Sequence, residues 1–407
     1  MTLSTLALEV ASLAREAYRV IAPYTHRTPV DKSETFSRLA GTEVYLKYEN
    51  LQKTGSFKSR GALFKVYRLR GRGVRGVVAA SAGNHAQGVA YAARTFGLKS
   101  VIVMPETAPV AKVEATRGYG AEVLLHGRVF DESLSLALNI ASERGYELVH
   151  AFNDVDVIAG NGTIALELLD QVKGFDTVIV PVGGGGLISG VASVLRASGF
   201  KGRIIGVEPE AAPKMKASLE AGRPVEVPVK PSLADGLLAK APGDLTLKLV
   251  SELVDDIVTV GEEDIARAIY LLLERAKVLA EGAGAAGLAA LLSGSIKPGR
   301  KTVVIVSGGN ADLTSIEKVI VKGLAVEGRI ARITGYIPDL PGQLKAVLEV
   351  IARHRCNVVD VIHDRIDPTM PPGYAKVTIT FETPGENETK VILDELENLG
   401  YKFKLET

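Results

Sequence analysis

Lys58 sits in ENLQKTGSFKSRGA, residues 49–62, just after Phe57 and a Gly-Ser pair. A lysine acts as a nucleophile only where its amine is partly desolvated and can shed its proton. Most lysines are solvated, so this one means little alone. Three other stretches change its meaning. In PVGGGGLISG, residues 181–190, Gly183, Gly184, Gly185 and Gly186 lead from an apolar run to Leu187 and a helical pattern. A tight turn needs one or two glycines. Four in a row cost backbone entropy and suit a loop whose N–H groups converge on a phosphate at a helix start. SAGNH, residues 81–85, brings the donors of Ser81, Ala82, Gly83, Asn84 and His85 to another helix start. That suits a carboxylate, and plain capping by Ser81 or Asn84 suits it equally. SGGN, residues 307–310, offers Ser307, a hydroxyl that can hydrogen-bond a ring nitrogen without holding it protonated.

The elements that must position these residues follow from periodicity. Short apolar runs alternate with helical patterns closed by glycine: GVVAAS, SVIVMP, AEVLLHG, TVIVPVGGGG, RIIGVEP and KTVVIVSGGN are the strands. This predicts an α/β fold of βαβ units, a parallel sheet with helices on both faces. The three loops all lie after strand C-termini, where such sheets bind ligands. Beyond residue 325 the pattern becomes βαββαβ: GRIARITGYI, QLKAVLEVIARHR, NVVDVIHDRI, a polar loop DPTMPPG, YAKVTITFET, ENETKVILDELENLG and YKFKL. That order is ferredoxin-like. The change of pattern divides the chain into a first domain over 1–322, a linker at 323–328 and a second domain over 329–407.

Bulk properties exclude other classes. The 407 residues carry a formal net charge of +1, which gives no electrostatic reason to bind nucleic acid or an anionic membrane. No apolar run approaches the roughly 20 residues of a membrane span, and the first residues read as an amphipathic helix, so a cytoplasmic location is expected. A single cysteine, Cys356, excludes an intrachain disulfide. GRGVRG, residues 71–76, matches a dinucleotide fingerprint by letters but follows a helix and precedes a strand, the reverse of what that motif requires. A lysine nucleophile, a phosphate cradle, a carboxylate loop and a ring-nitrogen partner are together what pyridoxal phosphate needs.

ENLQKTGSFKSRGA, SAGNHAQGVA, GGGGLISG, ADGL, EGAGA and SGGN, in that order, resemble the threonine/serine dehydratases over residues 5–322. These are fold-type-II pyridoxal 5'-phosphate enzymes related to tryptophan synthase β, with two three-layer α/β subdomains. The last part of the chain is similar to an ACT domain, a small regulatory module, so the resemblance implies a catalytic domain over 1–322 with a small subdomain near 46–149 inserted in it and a regulatory domain over 329–407. The resemblance implies that Lys58 forms the Schiff base and acts as base, and that Asn84 bonds the cofactor's phenolic oxygen. It implies that Gly183 to Gly186 and Leu187 hold the phosphate, and that Ser307 faces the ring nitrogen. Phe57, Gly236 and Glu281 would lie near the ring, and Ser81 to His85 would hold the substrate carboxylate. The implied reaction is deaminating dehydration of L-threonine to 2-oxobutanoate and ammonia, as in isoleucine biosynthesis or in catabolism, and of L-serine to pyruvate. The alternatives are a serine racemase, a β-replacement synthase and an amino-acid sensor with an inactive catalytic domain. Racemases of the family carry a second serine where this chain has Ala82. They also bind a divalent ion through an acid before proline; here Glu208 precedes Pro209, but Lys214 stands where a further acid belongs. An ion pair is therefore expected there and no metal. The resemblance also implies a homo-oligomer, dimer or tetramer, and allosteric binding of an amino acid at PDLPGQ, with Asp339 and Gly342 as candidates.

Overall fold

The computed structural model describes residues 3–366 and 370–406. The chain divides into two compact units, residues 1–312 and 313–407.

The first unit is built on two sheets. The larger has six strands in the order Val30–Lys32, Glu43–Tyr48, Lys301–Val306, Thr177–Pro181, Arg203–Pro209 and Asp256–Val260. Only the edge pair Val30–Lys32 with Glu43–Tyr48 is antiparallel; the remaining pairs are parallel. The smaller sheet is wholly parallel, in the order Glu122–Leu125, Lys99–Met104, Gly76–Ala80 and Glu147–Leu148. The central strands Gly76–Ala80 and Thr177–Pro181 are buried along their whole length. Helices on both faces explain why these strands read as continuous apolar runs. The first helix, Thr5–Ile21, shows how small residues serve this layering. It turns Ala7, Val10, Ala11, Ala14, Ala17 and Ile21 inward at helical spacing, and its start is capped by Ser4 accepting from the Ala7 N–H.

Strand order decides the site. Glu43–Tyr48, Lys301–Val306 and Thr177–Pro181 are neighbours, so the loops leaving their C-terminal ends emerge side by side. Those loops carry Lys58, Ser307 and the four glycines, although the three stretches are far apart in sequence.

The second unit begins with a helix, Leu313–Val326. This helix occupies the first part of the stretch expected as a linker, because Ile316 and Val319 are buried at helical spacing. Four antiparallel strands follow in the order Val358–Asp364, Tyr374–Glu382, Ile330–Pro338 and Lys402–Leu405. Alternate residues Ala331, Ile333, Ile337, Ala375, Val377, Ile379 and Phe381 pack against the helices Gln343–Arg353 and Glu386–Asn398. Residues 367–369 of the expected polar loop lie outside the described residues.

His354 joins those two helices. Its Nδ1 bonds Glu388 at 2.7 Å and its Nε2 bonds Glu395 at 2.7 Å. A carboxylate only accepts, so both ring nitrogens donate and the ring is an imidazolium. Hydrogen bonds to Glu395 and Glu388 raise its pKa above the ordinary 6.5. The bracket therefore contributes its full stability below that ordinary value and loses it as pH rises through the raised one. The thermal stability of the second unit is expected to fall with rising pH in the wild type. His354→Gln should lose that component; an identical pH trend in both proteins would refute it.

Candidate active site

The site forms where the loops meet. Lys58 opens the helix Lys58–Gly71. Its loop is laid against the loop after Lys301–Val306 like a short strand. Ser56 and Gly308 form an isolated antiparallel bridge, the Phe57 N–H donates to the Ser307 carbonyl at 3.1 Å, and the Gly309 N–H donates to Gly55 at 2.9 Å. These backbone bonds place the Lys58 and Ser307 loops side by side whatever their side chains do.

The half-buried Lys58 amine lies 5.2 Å from the Phe57 ring centroid and donates to the Ala151 carbonyl at 2.9 Å. Burial lowers its pKa to about 8, against the opposing pull of Glu281. An amine in that range has an appreciable neutral fraction near neutral pH, as a nucleophile or base requires. Ser307 is buried and its contact with the Ala283 carbonyl is long, at 3.4 Å, so the hydroxyl can turn to another partner.

The glycine loop ends at the helix Gly186–Ala197, and no side chain caps that helix. Its first-turn N–H groups have no acceptor within the helix. Gly185 has φ +96°, a conformation that L side chains rarely adopt. Gly184 and Gly186 are required for a different reason: a Cβ at either would collide with Phe152. The expected phosphate loop is thus also a close-packing surface. Thr246 secures it by donating to the Gly184 carbonyl at 2.7 Å.

Asn84 begins the helix Asn84–Phe96, and its side chain does not cap it. Its Oδ1 accepts from Asn310 Nδ2 at 2.6 Å, and its Nδ2 donates to Glu281 at 2.6 Å. Asn310 also donates to the Thr54 carbonyl at 2.8 Å. This chain fixes which way the Asn84 amide faces and leaves one of its two N–H groups free of these bonds. Glu281 is the N-cap of Gly282–Leu292; burial, with the charge of Asp235, pushes its pKa up to about 7. Gly236 is adjacent: a Cβ there would lie 4.0 Å from Glu281 Oε1. The Ser81 hydroxyl accepts from the Gly83 N–H at 3.2 Å, and Ala82 is half-buried.

His85 departs from expectation. Its ring is buried and donates from Nε2 to the Val149 carbonyl at 2.8 Å. Burial and the charge of Lys58 lower its pKa to about 3. The ring is a neutral structural group, so only the backbone of His85 remains to meet a carboxylate. Asp339 and Gly342 belong to the second unit, in a cleft of about 170 Å³ lined also by Leu340, Leu344, His363 and Arg365. Arg365 bonds Asp339 there at 2.9 Å.

Sequence reasoning passes over the turn at residues 150–153, which follows the two-residue strand Glu147–Leu148. So short a strand leaves no periodic signal. It also passes over the ions beneath Lys58. Arg60 is fully buried and bonds Glu49 at 2.8 Å and Glu167 at 2.7 Å, and Lys47 bonds the same Glu167. The pair expected at Glu208 is present: Lys214 Nζ lies 2.9 Å from its carboxylate, with both side chains fully buried. The ammonium also donates to the carbonyls of Val182, at 3.0 Å, and Ala212, at 3.2 Å.

These residues fit pyridoxal phosphate: a desolvated lysine whose acceptor Ala151 precedes the Phe152 packed on the glycine loop, an available serine hydroxyl on the adjoining loop, and an uncapped glycine-rich helix start. The comparisons agree. A family model described as pyridoxal-phosphate dependent enzyme matches residues 21–308, and the ACT domain model matches 333–401. The L-threonine ammonia-lyase of Thermotoga maritima is 47% identical over 392 residues, 96% of this chain and 98% of that one. A solved threonine deaminase from T.th. is 45% identical, with TM-score 0.70, covering 74% of this chain and 98% of its own. Maize serine racemase is 40% identical, with TM-score 0.73, covering 78% and 98%. The chain therefore belongs to the pyridoxal-phosphate dependent enzymes, of fold type II, with a C-terminal ACT domain.

Proposed function

We propose that the protein is an L-threonine ammonia-lyase, converting L-threonine to 2-oxobutanoate and ammonia and L-serine to pyruvate. The observation that carries this reading is the desolvated Lys58 amine, whose loop is bonded to the Ser307 loop and whose acceptor Ala151 precedes the Phe152 packed on the uncapped glycine loop. Pyridoxal phosphate, when bound, supplies an aldehyde for amines and an electron sink for charge left at the substrate Cα. The backbone N–H groups from Gly183 to Leu187 would hold its phosphate, the second Nδ2 proton of Asn84 would serve its phenolic oxygen, and the Ser307 hydroxyl would serve its ring nitrogen. Phe57, Gly236 and Glu281 would lie near the ring. Lys58 would take the Cα proton at its neutral Nζ. The Ser307 hydroxyl, unlike a carboxylate, would not hold a ring nitrogen protonated, and that electronic setting would favour elimination of the β-hydroxyl. The loop from Ser81 to His85 orients the substrate carboxylate through its donors.

Ala82 favours elimination over racemisation, because a methyl group has no proton to deliver to the opposite face of Cα. The test is to load the enzyme with cofactor and measure 2-oxo acid from L-threonine and L-serine beside D-serine from L-serine. Rapid 2-oxo acid formation with D-serine at a small fraction of turnover is expected. D-Serine formed as fast as pyruvate would move the chain to the racemase reading. No 2-oxo acid from either substrate would leave the sensor reading.

The finer assignments, a cytoplasmic homo-oligomer that binds an amino-acid effector beside Asp339 and Gly342, belong to the same proposal. Gly342 is the uncapped N-cap of Gln343–Arg353, which suits a carboxylate, and Asp339 suits an amine that displaces Arg365.

A further inference from the structure

We propose that His150 is a positioning residue for the cofactor site: its unprotonated Nδ1 sets the turn that aims the Ala151 carbonyl at Lys58 and lays the Phe152 ring on the glycine loop. The inference rests on reading Lys58 and that loop as the cofactor site.

The argument begins with two hydrogen bonds. His150 Nδ1 lies 3.2 Å from the Phe152 nitrogen and 2.9 Å from the Asn153 nitrogen. Both partners are backbone N–H groups, so Nδ1 accepts twice and carries no proton. Only the neutral ring protonated at Nε2 satisfies this geometry. The peptide between Ala151 and Phe152 is planar and trans, which sets its C=O opposite its N–H. Holding the Phe152 N–H toward His150 therefore turns the Ala151 carbonyl the other way, and that carbonyl accepts from Lys58 Nζ at 2.9 Å.

The same turn places two more groups. The Phe152 ring meets the His150 ring edge-on, with centroids 4.7 Å apart, and fills the space above Gly184, while the Phe152 Cα, Cβ and carbonyl crowd Gly186. Asn153 Oδ1 accepts from the Leu245 N–H at 3.0 Å, one residue before Thr246, whose hydroxyl holds the Gly184 carbonyl. One imidazole lone pair thus organises the lysine's acceptor and one wall of the phosphate loop.

Protonating Nδ1 replaces an acceptor with a donor facing two donors, so the turn must open. The charged and titratable groups facing the ring are Lys58, His85 and Asp154, the last paired with Lys65 at 2.6 Å. Burial and the Lys58 charge lower the His150 pKa from its ordinary 6.5, against Asp154. The turn is therefore held at neutral pH and yields in acid.

The test compares wild type, His150→Asn and His150→Leu as full-length apo protein, titrated with pyridoxal phosphate by absorbance between about pH 5 and pH 8. Asparagine places Oδ1 where Nδ1 stood and accepts from the same N–H groups without titrating. At the upper pH, His150→Asn should bind within about threefold of wild type, and His150→Leu should bind about tenfold or more weakly, because two backbone donors lose their acceptor. On acidification the wild type should lose affinity faster than His150→Asn. That comparison cancels the titration of the cofactor's own phosphate, and it decides the matter even where the leucine variant does not fold. Parallel acid loss in wild type and His150→Asn, or wild-type affinity in folded His150→Leu, would overturn the proposal. A wild type that takes up no cofactor at any pH would instead overturn the cofactor reading beneath it.

Discussion

In Lys58→Ala, production of 2-oxobutanoate from L-threonine is expected to fall at least about a thousandfold, within the range that removal of a general base covers. Two features of the fold make this amine reactive. Burial brings its pKa to about 8, and it stands at the first position of Lys58–Gly71, where the positive end of a helix also disfavours an ammonium. The variant loses both the covalent anchor and the base, so it should release pyridoxal phosphate on gel filtration. Borohydride should fix the cofactor to the wild-type peptide containing Lys58 and leave no such adduct in the variant. Cofactor uptake by the wild-type apo protein should accelerate as pH rises through about 8, because only the neutral amine attacks an aldehyde. Retention of a tenth of wild-type turnover by Lys58→Ala would be incompatible with the assignment.

The second large effect is expected on stability. Glu167→Gln should cost about 3–5 kcal/mol, the usual result of removing one partner from a buried ion cluster. Glu167 receives Arg60 Nη1 at 2.7 Å and Nη2 at 3.1 Å, together with the Lys47 ammonium, and all three groups are buried. Glu49 takes the other side of the guanidinium at 2.8 and 2.9 Å. Burial alone would raise the Glu49 pKa, but Arg60 holds it below the usual carboxylate value. With Glu167 neutralised, two buried cations face one carboxylate. Urea unfolding of the first unit measures the loss. Adding Lys47→Met to Glu167→Gln should recover part of it by restoring charge balance. A loss under about 1 kcal/mol, the size of an exposed pair, would mean that water reaches this cluster. Arg60 is one half-turn beyond Lys58 on the same helix, so the variant should also weaken cofactor binding.

Much of this is legible in residue types. The alternation of apolar runs and glycine-closed helices gives the parallel sheets, because buried strands leave no polar alternation. The alternating strands after residue 325 give the antiparallel unit, which has one open face. The loops carrying Lys58, Asn84, the glycines and Ser307 stand out by composition at strand ends. The helix Leu313–Val326 does not, since VKGLAVEG has the glycine content of a linker, while the helix is held by burial of Ile316 and Val319 further back.

Other features belong to distance in space. Nothing in the spacing of Glu49, Arg60 and Glu167 pairs them, because partners 107 residues apart meet only after strands and helices have packed. The glycines at 184 and 186 suit a phosphate cradle by sequence; the fold adds that Phe152 occupies the space their side chains would fill. Adjacency groups His85 with a ligand loop, yet its ring turns inward to a carbonyl of the neighbouring strand's loop. By itself, the sequence determined which chemical groups exist and that they sit on loops at strand ends, since local pattern reports secondary structure and side-chain type. Tertiary structure alone decided which loops are neighbours, which lysine is desolvated and which histidine nitrogen is bare, because adjacency, burial and hydrogen-bond direction are properties of contacts between distant parts of the chain.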